Sequence, residues 1–447
     1  MARAVAVDLG ASSGRFAVGT LADGRIEFEV IEQIAHQAVE RNGRLEWDLE
    51  ALLGLCQRAS DFAATLGEPV TLGIDSWGVD HGFLDAEGNL IDPPVCYRDL
   101  SHLEAFESLA PHRERLYALT GIQHQPFNTV CQLLARRTAD PTLLDRAKDW
   151  MILPDLLGYL LTGERQSELT QASTAQLMGT DGKWSAEVFD LIGWPTPERQ
   201  PSTPGKLGFR VRENVTLAHV GSHDTASAVA GFGPLADDQL FLNVGTWSLV
   251  GCLLDAPMAT REAELAQFTN ERACDGRVRF LKNIPGFYVV NRLHEELAVG
   301  VSVPEWLATL ERPESSVDLL HPELYNPESM VETIASLAAK VPESTAQWAG
   351  LALQSLTDTI ARTPAELSAL TGRTFSSFRV GGGGSQSPIF CQQLANASGL
   401  EVIAGPAEAT VLGNLAVQFL AAGHFASYDE MLEVIGRSTD IQTYRPQ

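Results

Sequence analysis

Apolar positions along the chain switch between a period of two and a helical period, and the switches mark out its elements. Residues 5–7 form a short apolar run that ends in Asp8, turns through small residues to Arg15, and returns as a second apolar run over 16–21. This pattern predicts a hairpin. Residues 26–33 alternate as a strand, and 47–66 follow the helical period with Asp48 and Glu50 in the first turn. Residues 70–74 are an apolar strand leading into Asp75-Ser76-Trp77-Gly78-Val79-Asp80. Helical patterns follow up to residue 116, over 130–136 and over 153–161, and Pro201 and Pro204 precede another strand at 215–220. A second strand-rich block opens near residue 239. There, 240–244 leads into Gly245-Thr246-Trp247-Ser248 and 278–281 into Lys282-Asn283. Residues 302–370 are mostly helical, 378–380 feed a Gly381-to-Ser385 turn, and 402–403 precede a Gly405-Pro406 turn and a helix over 410–422.

Strands alternating with helices predict an α/β fold. At 447 residues the chain exceeds one ordinary core and should form two or three domains. No low-complexity linker separates the halves, so the division near Phe232, into 1–232 and 233–447, is expected between closely apposed domains.

Composition narrows the class. Hydrophobic residues at 45% and charged residues at 20% fit a globular protein, and no apolar run reaches the roughly 18 residues that span a bilayer. No signal-like segment opens the chain, which predicts a cytoplasmic protein without membrane partners. The six cysteines are scattered without a CxxC pair and read as buried apolar residues, neither a zinc site nor a disulfide framework. A formal charge of −25 argues against nucleic acid as a partner. It also repels nucleotides, unless backbone donors and a divalent metal offset it locally. Nothing in the pattern specifies an oligomeric state.

Three turns carry candidate chemistry. At the first, the backbone N–H groups of 10–14 and the Ser12 and Ser13 hydroxyls can surround a phosphate, and Asp8 can hold hydrated Mg²⁺ beside it. It is not a Walker A loop, since no Gly-Lys-Ser/Thr follows. Asn243-Val244-Gly245-Thr246-Trp247-Ser248 repeats the design, and the glycines of 381–384 permit close approach of a base or ribose. Each also suits a plain tight turn, but three such turns at strand ends in one chain favour nucleotide binding. Between the first two lies Ser222-His223-Asp224-Thr225, running into a small-residue helix. Asp224 at that helix start suits either a helix cap or a base for a substrate hydroxyl attacking a γ-phosphate.

These segments, in this order, resemble the FGGY family of carbohydrate kinases, part of the actin, hexokinase and Hsp70-like ATPase superfamily. The residues that carry the resemblance include Ala6 to Arg15, Gly73 to Asp80, Gln125-Pro126-Phe127-Asn128-Thr129 and Ser222 to Val229. Further matches are Gly245-Thr246-Trp247-Ser248-Leu249, Leu281-Lys282-Asn283-Ile284, and Ala404-Gly405-Pro406 with Glu408 and Leu412-Gly413-Asn414. The resemblance spans residues 5 to about 418. It implies two actin/hexokinase-like (ribonuclease H-like) domains with a nucleotide and sugar cleft between them, the N-terminal one binding sugar and the C-terminal one nucleotide. It further implies ATP-dependent phosphorylation of a ketose. The members it resembles most act on L-rhamnulose at O1 in L-rhamnose catabolism; L-fuculose or a pentulose is the alternative. By matching position, Asp224 is the expected base and Asp8 the Mg²⁺ ligand. Ala11, Ser12, Ser13, Gly14, Arg15, Thr246, Asn283, Asn291, Gly383 and Gly384 are expected at ATP, and Trp77, Gly78, His223, Asp224 and Thr225 at the sugar.

Three departures stand out: Asn291 replaces a Gln, His81 replaces an apolar aromatic beside the sugar site, and the glycine run has one extra Gly. Trp77 and Phe127 are candidate walls for the sugar's methyl group, with Asn128 and His223 reading hydroxyls. A reading from another class, a non-catalytic nucleotide-gated binding protein on this fold, is disfavoured by the presence of both Asp8 and Asp224.

Overall fold

The first apolar run becomes strand β1 (Ala2–Leu9), buried from Ala4 onward, and it hairpins into β2 (Ser13–Ala22). Strand β3 (Arg25–Ala35) pairs antiparallel with β2. On the other side of β1, strand β4 (Val70–Ser76) runs parallel to it. An edge hairpin of β5 (Lys206–Arg212) and β6 (Val215–His219) completes the sheet, with β6 parallel to β4. These coordinates are a computed structural model that describes every residue except Asn42 and Asn326.

Period-two alternation in β1 splits its side chains between two layers. Val5, Val7 and Leu9 pack with Leu52, Leu55, Cys56, Ala59 and Ala63 of the helix Leu49–Thr65. Ala4 and Ala6 pack instead with Ala226, Val411, Leu415 and Ile435 from three later helices. Asp48 starts the first of these helices by accepting the Ala51 N–H, so Trp47 stays outside it.

Two compact units divide the chain. The first takes Met1–Pro234, Leu254–Phe280 and Thr410–Ser438; the second takes Leu235–Leu253, Leu281–Ala409 and Thr439–Gln447. The chain first changes unit after Pro234, beside the division expected at Phe232. Two later segments then return to the first unit.

The second unit repeats the plan of the first. Strands β7 (Gln239–Val244) and β8 (Ser248–Leu254) form a hairpin, and β7 runs parallel to β9 (Ser377–Gly381). Strand β10 (Glu401–Ala404) lies parallel to β9, and β11 (Gln442–Tyr444) closes the edge antiparallel. The α/β expectation holds for both units. All six cysteines are free and buried, as expected. Among the described residues no helix is long and apolar enough to cross a membrane.

Candidate active site

The β1–β2 register sets Asp8 opposite Arg15, and Arg15 donates from Nε (3.0 Å) and Nη2 (2.9 Å) to Asp8 Oδ2. The turn closes through the Gly10 N–H, which donates to the Ser13 carbonyl at 2.9 Å. That amide is spent on the turn and cannot join an anion cradle. Ala11 and exposed Ser12 form the tip, Ser13 opens β2, and Gly14 is buried within it.

The parallel register of β1 and β4 sets Asp75 beside Asp8. Asp75 is fully buried; one oxygen accepts from the Asn414 amide and the other, Oδ1, has no hydrogen-bond partner. Burial, then the charges of Asp8 and Asp224, hold its carboxyl well above the usual carboxylate range.

Asp224 is the first residue of the helix Asp224–Gly231, and the N-cap position belongs to His223. The plain-cap alternative for Asp224 is therefore set aside. Its side chain is 28% exposed and accepts from Thr225 Oγ1 at 3.0 Å. Burial raises its pKa; His223 opposes the rise and Asp8 adds to it.

The loop before this helix is held from behind by Glu168. This buried carboxylate accepts from the Ser222 Oγ–H (2.6 Å) and N–H (3.2 Å), and from Thr170 Oγ1 (2.6 Å). Thr170 Oγ1 in turn accepts the His223 N–H at 3.1 Å, and Gln171 Nε2 donates to the Ser222 carbonyl at 2.9 Å. The His223 ring is held separately. Its Nε2 lies 3.5 Å from Asp224 Oδ1, while Nδ1 faces Arg279 Nη2 at 2.9 Å and Glu271 Oε2 at 3.3 Å.

Beside the first turn is an open hollow of about 580 Å³, lined by Ala11, Ser12, His36, Trp47, Cys96 and Arg98 among others. Its Trp47 wall is locked by Asp80, whose Oδ2 accepts from Trp47 Nε1 (2.6 Å) and Trp77 Nε1 (2.8 Å). The two indoles pack with centroids 4.3 Å apart. Gln132 Nε2 donates to Asp80 Oδ1 at 3.0 Å, and burial pushes the carboxyl up to about 7 against these donors. Between Gly78 and Asp80, Val79 has φ of 72°, a strained conformation for a β-branched residue. Thr129 Oγ1 pins it by donating to its carbonyl at 2.7 Å.

Two expected polar groups are buried here. Asn128 is 1% exposed, and its amide N–H groups donate to the Gln123 carbonyl (2.7 Å) and Gln176 Oε1 (3.1 Å), so its donors are spent within the protein. His81 sits in the core edge-on to Phe83 and Trp150, where burial pushes its pKa down to about 3.

In the second unit the β7–β8 turn exposes Thr246, and the N–H groups of Phe287 and Tyr288 donate to the carbonyls of Gly245 (3.1 Å) and Thr246 (3.0 Å). That contact docks the helix Phe287–Leu297, which carries half-buried Asn291, on the turn. Asn283 is half-buried in the strand Val278–Ile284. Gly382 has φ of 74°, and a Cβ there would come within 2.6 Å of the Val244 carbonyl oxygen. Gly384 packs on the Val244 side chain, whereas Gly383 is exposed with open space where a Cβ would stand.

The structure thus brings together Asp8, Arg15, Asp75, Asp224 and His223 in one unit, and Thr246, Asn291, Gly383 and Gly384 around the end of β7 in the other. Sequence reasoning missed Asp75, Asp80, Glu168, Glu271 and Arg279 as parts of the site. Asp75 and Asp80 stood in a quoted motif; the other three are isolated charged residues with no local signature.

Comparison with known proteins gives the family and the fold. The chain matches the FGGY family of carbohydrate kinases, N-terminal domain, over residues 3–201 and the C-terminal domain over 240–422. It is 34% identical to the rhamnulokinase of Bacteroides thetaiotaomicron, covering 99% of this chain and 95% of that protein. To the rhamnulokinase of Bacillus subtilis it is 32% identical over the same shares. In fold it is similar to a ligand-bound xylulose kinase from Lactobacillus acidophilus (TM-score 0.85, 15% identity, 100% of this chain and 94% of that chain). It is likewise similar to Plasmodium falciparum glycerol kinase with ADP (TM-score 0.78, 14% identity, the same shares). The chain belongs to the FGGY family of carbohydrate kinases.

Proposed function

We propose that this chain transfers the γ-phosphoryl group of ATP to O1 of L-rhamnulose, giving L-rhamnulose 1-phosphate and ADP. The names of its full-length relatives support the substrate. The observation that carries the chemistry is Asp224: a carboxylate with an exposed edge, a raised pKa, and a preceding loop held at Ser222 by Glu168. In this reading Asp224 takes the proton from O1 as that oxygen bonds to the γ-phosphorus. The bond from phosphorus to the ADP oxygen breaks, and ADP leaves with the electron pair.

The sugar would meet Trp77, Gly78, His223, Asp224 and Thr225, with the hollow beside Trp47 offering apolar surface to its methyl group. Ala11, Ser12, Ser13, Gly14 and Arg15 would face the phosphates from the first unit. Thr246, Asn283, Asn291, Gly383 and Gly384 would hold the nucleotide from the second. This gives residues 1–232 the sugar and first phosphate turn, and 233–447 the nucleotide, with the segments 254–280 and 410–438 going with the first. The reaction would run in the cytoplasm.

Mg²⁺ fits the acidic end of the first unit. Asp75 Oδ1 is buried without a partner, and burial, with added repulsion from Asp8, lifts the carboxyls of Asp75 and Asp224. Among the described residues no three acid or imidazole ligands converge on one point. That suits a hydrated ion held by one or two carboxylates together with phosphates. Asp8 would hold it, and the ion would supply charge neutralisation at the phosphates.

The test is product identification. Purified protein, MgATP and L-rhamnulose should give a sugar phosphate whose phosphorus correlates with the C1 protons in a ¹H–³¹P spectrum. Phosphate on another carbon, or ATP consumption without a sugar phosphate, would overturn the proposal.

A further inference from the structure

A fully buried ion pair stands behind His223 with no role in the chemistry above. Arg279 is 0% exposed and Glu271 is 5% exposed, and Arg279 Nη2 lies 3.1 Å from Glu271 Oε2. Arg279 Nε donates to the Arg272 carbonyl at 3.0 Å, while Nη1 is buried with no hydrogen-bond partner. Burial alone would raise the Glu271 carboxyl; Arg279 and His223 more than offset this and hold it below its ordinary value. Buried pairs of this kind add little net stability, because desolvation cancels most of the Coulomb gain. A pair placed within reach of a ring beside the base has another use.

We infer that Glu271 and Arg279 are positioning residues that keep a proton on His223 Nε2, directed at Asp224. This inference rests on Asp224 being the base. A guanidinium has donors and no acceptor, so an Arg279 hydrogen bond to Nδ1 requires Nδ1 to carry the lone pair. The neutral ring then has its one proton on Nε2, the atom that faces Asp224 Oδ1 at 3.5 Å. When the ring is charged, Glu271 Oε2, 3.3 Å from Nδ1, balances its charge and Nε2 still holds a proton. The remaining form, neutral with the proton on Nδ1, gains only the longer 3.3 Å approach to Glu271 Oε2, and it sets two donors against each other at 2.9 Å and an Nε2 lone pair against a carboxylate. Arg279 therefore selects the ring with its proton on Nε2, and Glu271 acts through Arg279 by holding the guanidinium against Nδ1. An N–H in that place favours ionised Asp224 and orients Oδ1, and the contact tightens as substrate binds.

Nitrogen-15 spectra of histidine-labelled protein, with His223 assigned by a His223→Gln variant, read the tautomer in the wild type without any change to the pair. We expect a protonated Nε2 in the free protein, and a lone pair on Nε2 would overturn the inference. The double variant Glu271→Gln/Arg279→Met removes both charges together, which spares the fold an unpaired buried ion. Provided it unfolds cooperatively, it should show mixed tautomers. Its kcat should fall about 10- to 100-fold, by analogy with the loss of partners that orient metal-bound histidines. The KM for ATP should stay within about twofold, a split that general loosening of the fold would not give. Arg279→Lys should recover part of the rate. Unchanged tautomer and kcat in the folded double variant would overturn the inference. If Asp224→Asn instead kept full activity, the base reading would fail while the tautomer measurement still reported on the pair.

Discussion

The two hairpins of this protein have the same backbone plan and opposite chemistry. In the first, Asp8 stands one residue from the strand end, opposite Arg15 and beside Asp75 on the parallel neighbour. At the equivalent place in the second, Asn243 stands opposite Leu249 and beside Gly381. The same register thus gathers ionisable groups in one unit and neutral, small residues in the other. The charged end suits metal and proton handling. The neutral end suits a polyanionic nucleotide, which the −25 net charge of the chain would otherwise repel.

The largest test removes the acid function altogether. Asp224→Asn should lower kcat by roughly 10² to 10⁴, the range general-base catalysis supplies, while calorimetry still detects sugar and MgATP binding. Near-normal kcat would sink the base assignment. Exchanging the two turns is the next step. Asp8→Asn makes the first resemble the second, and Mg²⁺ titration of the rate should show at least about tenfold weaker dependence, since one of few ligands is lost. Asn243→Asp makes the second resemble the first. One added charge near a phosphate costs about 1 kcal/mol at 4 Å in water-like screening, so the KM for ATP should rise about fivefold. Unchanged KM would show that phosphate does not approach that turn.

pH sharpens the same contrast. A base with a raised pKa is protonated and inactive below it, so kcat/KM should fall with acid through a midpoint above about 4, the ordinary Asp value. A midpoint at or below that value would contradict the environment described for Asp224. The smallest effects belong to the glycine turn. Gly382→Ala forces a Cβ into positive φ against the Val244 carbonyl and should cost about 1–3 kcal/mol in a denaturant titration. Gly383→Ala should leave stability within about 0.5 kcal/mol and act only on nucleotide affinity.

Local signals in the sequence were reliable where chemistry and structure are both local. The first hairpin, the helix over 49–65 (read as starting two residues early, at Trp47), the small-residue helix after His223 and the strand-end turns all follow from neighbouring residues. What depends on register or on distant segments was invisible. Nothing in residues 70–76 says that Asp75 will lie beside Asp8 rather than one place along. Glu168 looks like any helix-flanking acid until the Ser222 loop folds onto it. Residues 254–280 and 410–438 return to the first unit through long-range packing, which no break in composition announces. Asn128 and His81 sit in or beside recognisable motifs, but burial spends or neutralises their polar groups.

The central claim is that this kinase prefers L-rhamnulose. We would measure ADP release, coupled to a reporter, from MgATP with L-rhamnulose, L-fuculose, L-xylulose, L-ribulose, D-xylulose and glycerol, running Asp224→Asn alongside. The account predicts a kcat/KM for L-rhamnulose at least about tenfold above the rest, a gap of about 1.4 kcal/mol in transition-state binding, and near-zero turnover in the variant. A higher kcat/KM for any other sugar, or sugar-dependent turnover that survives in the variant, would contradict it.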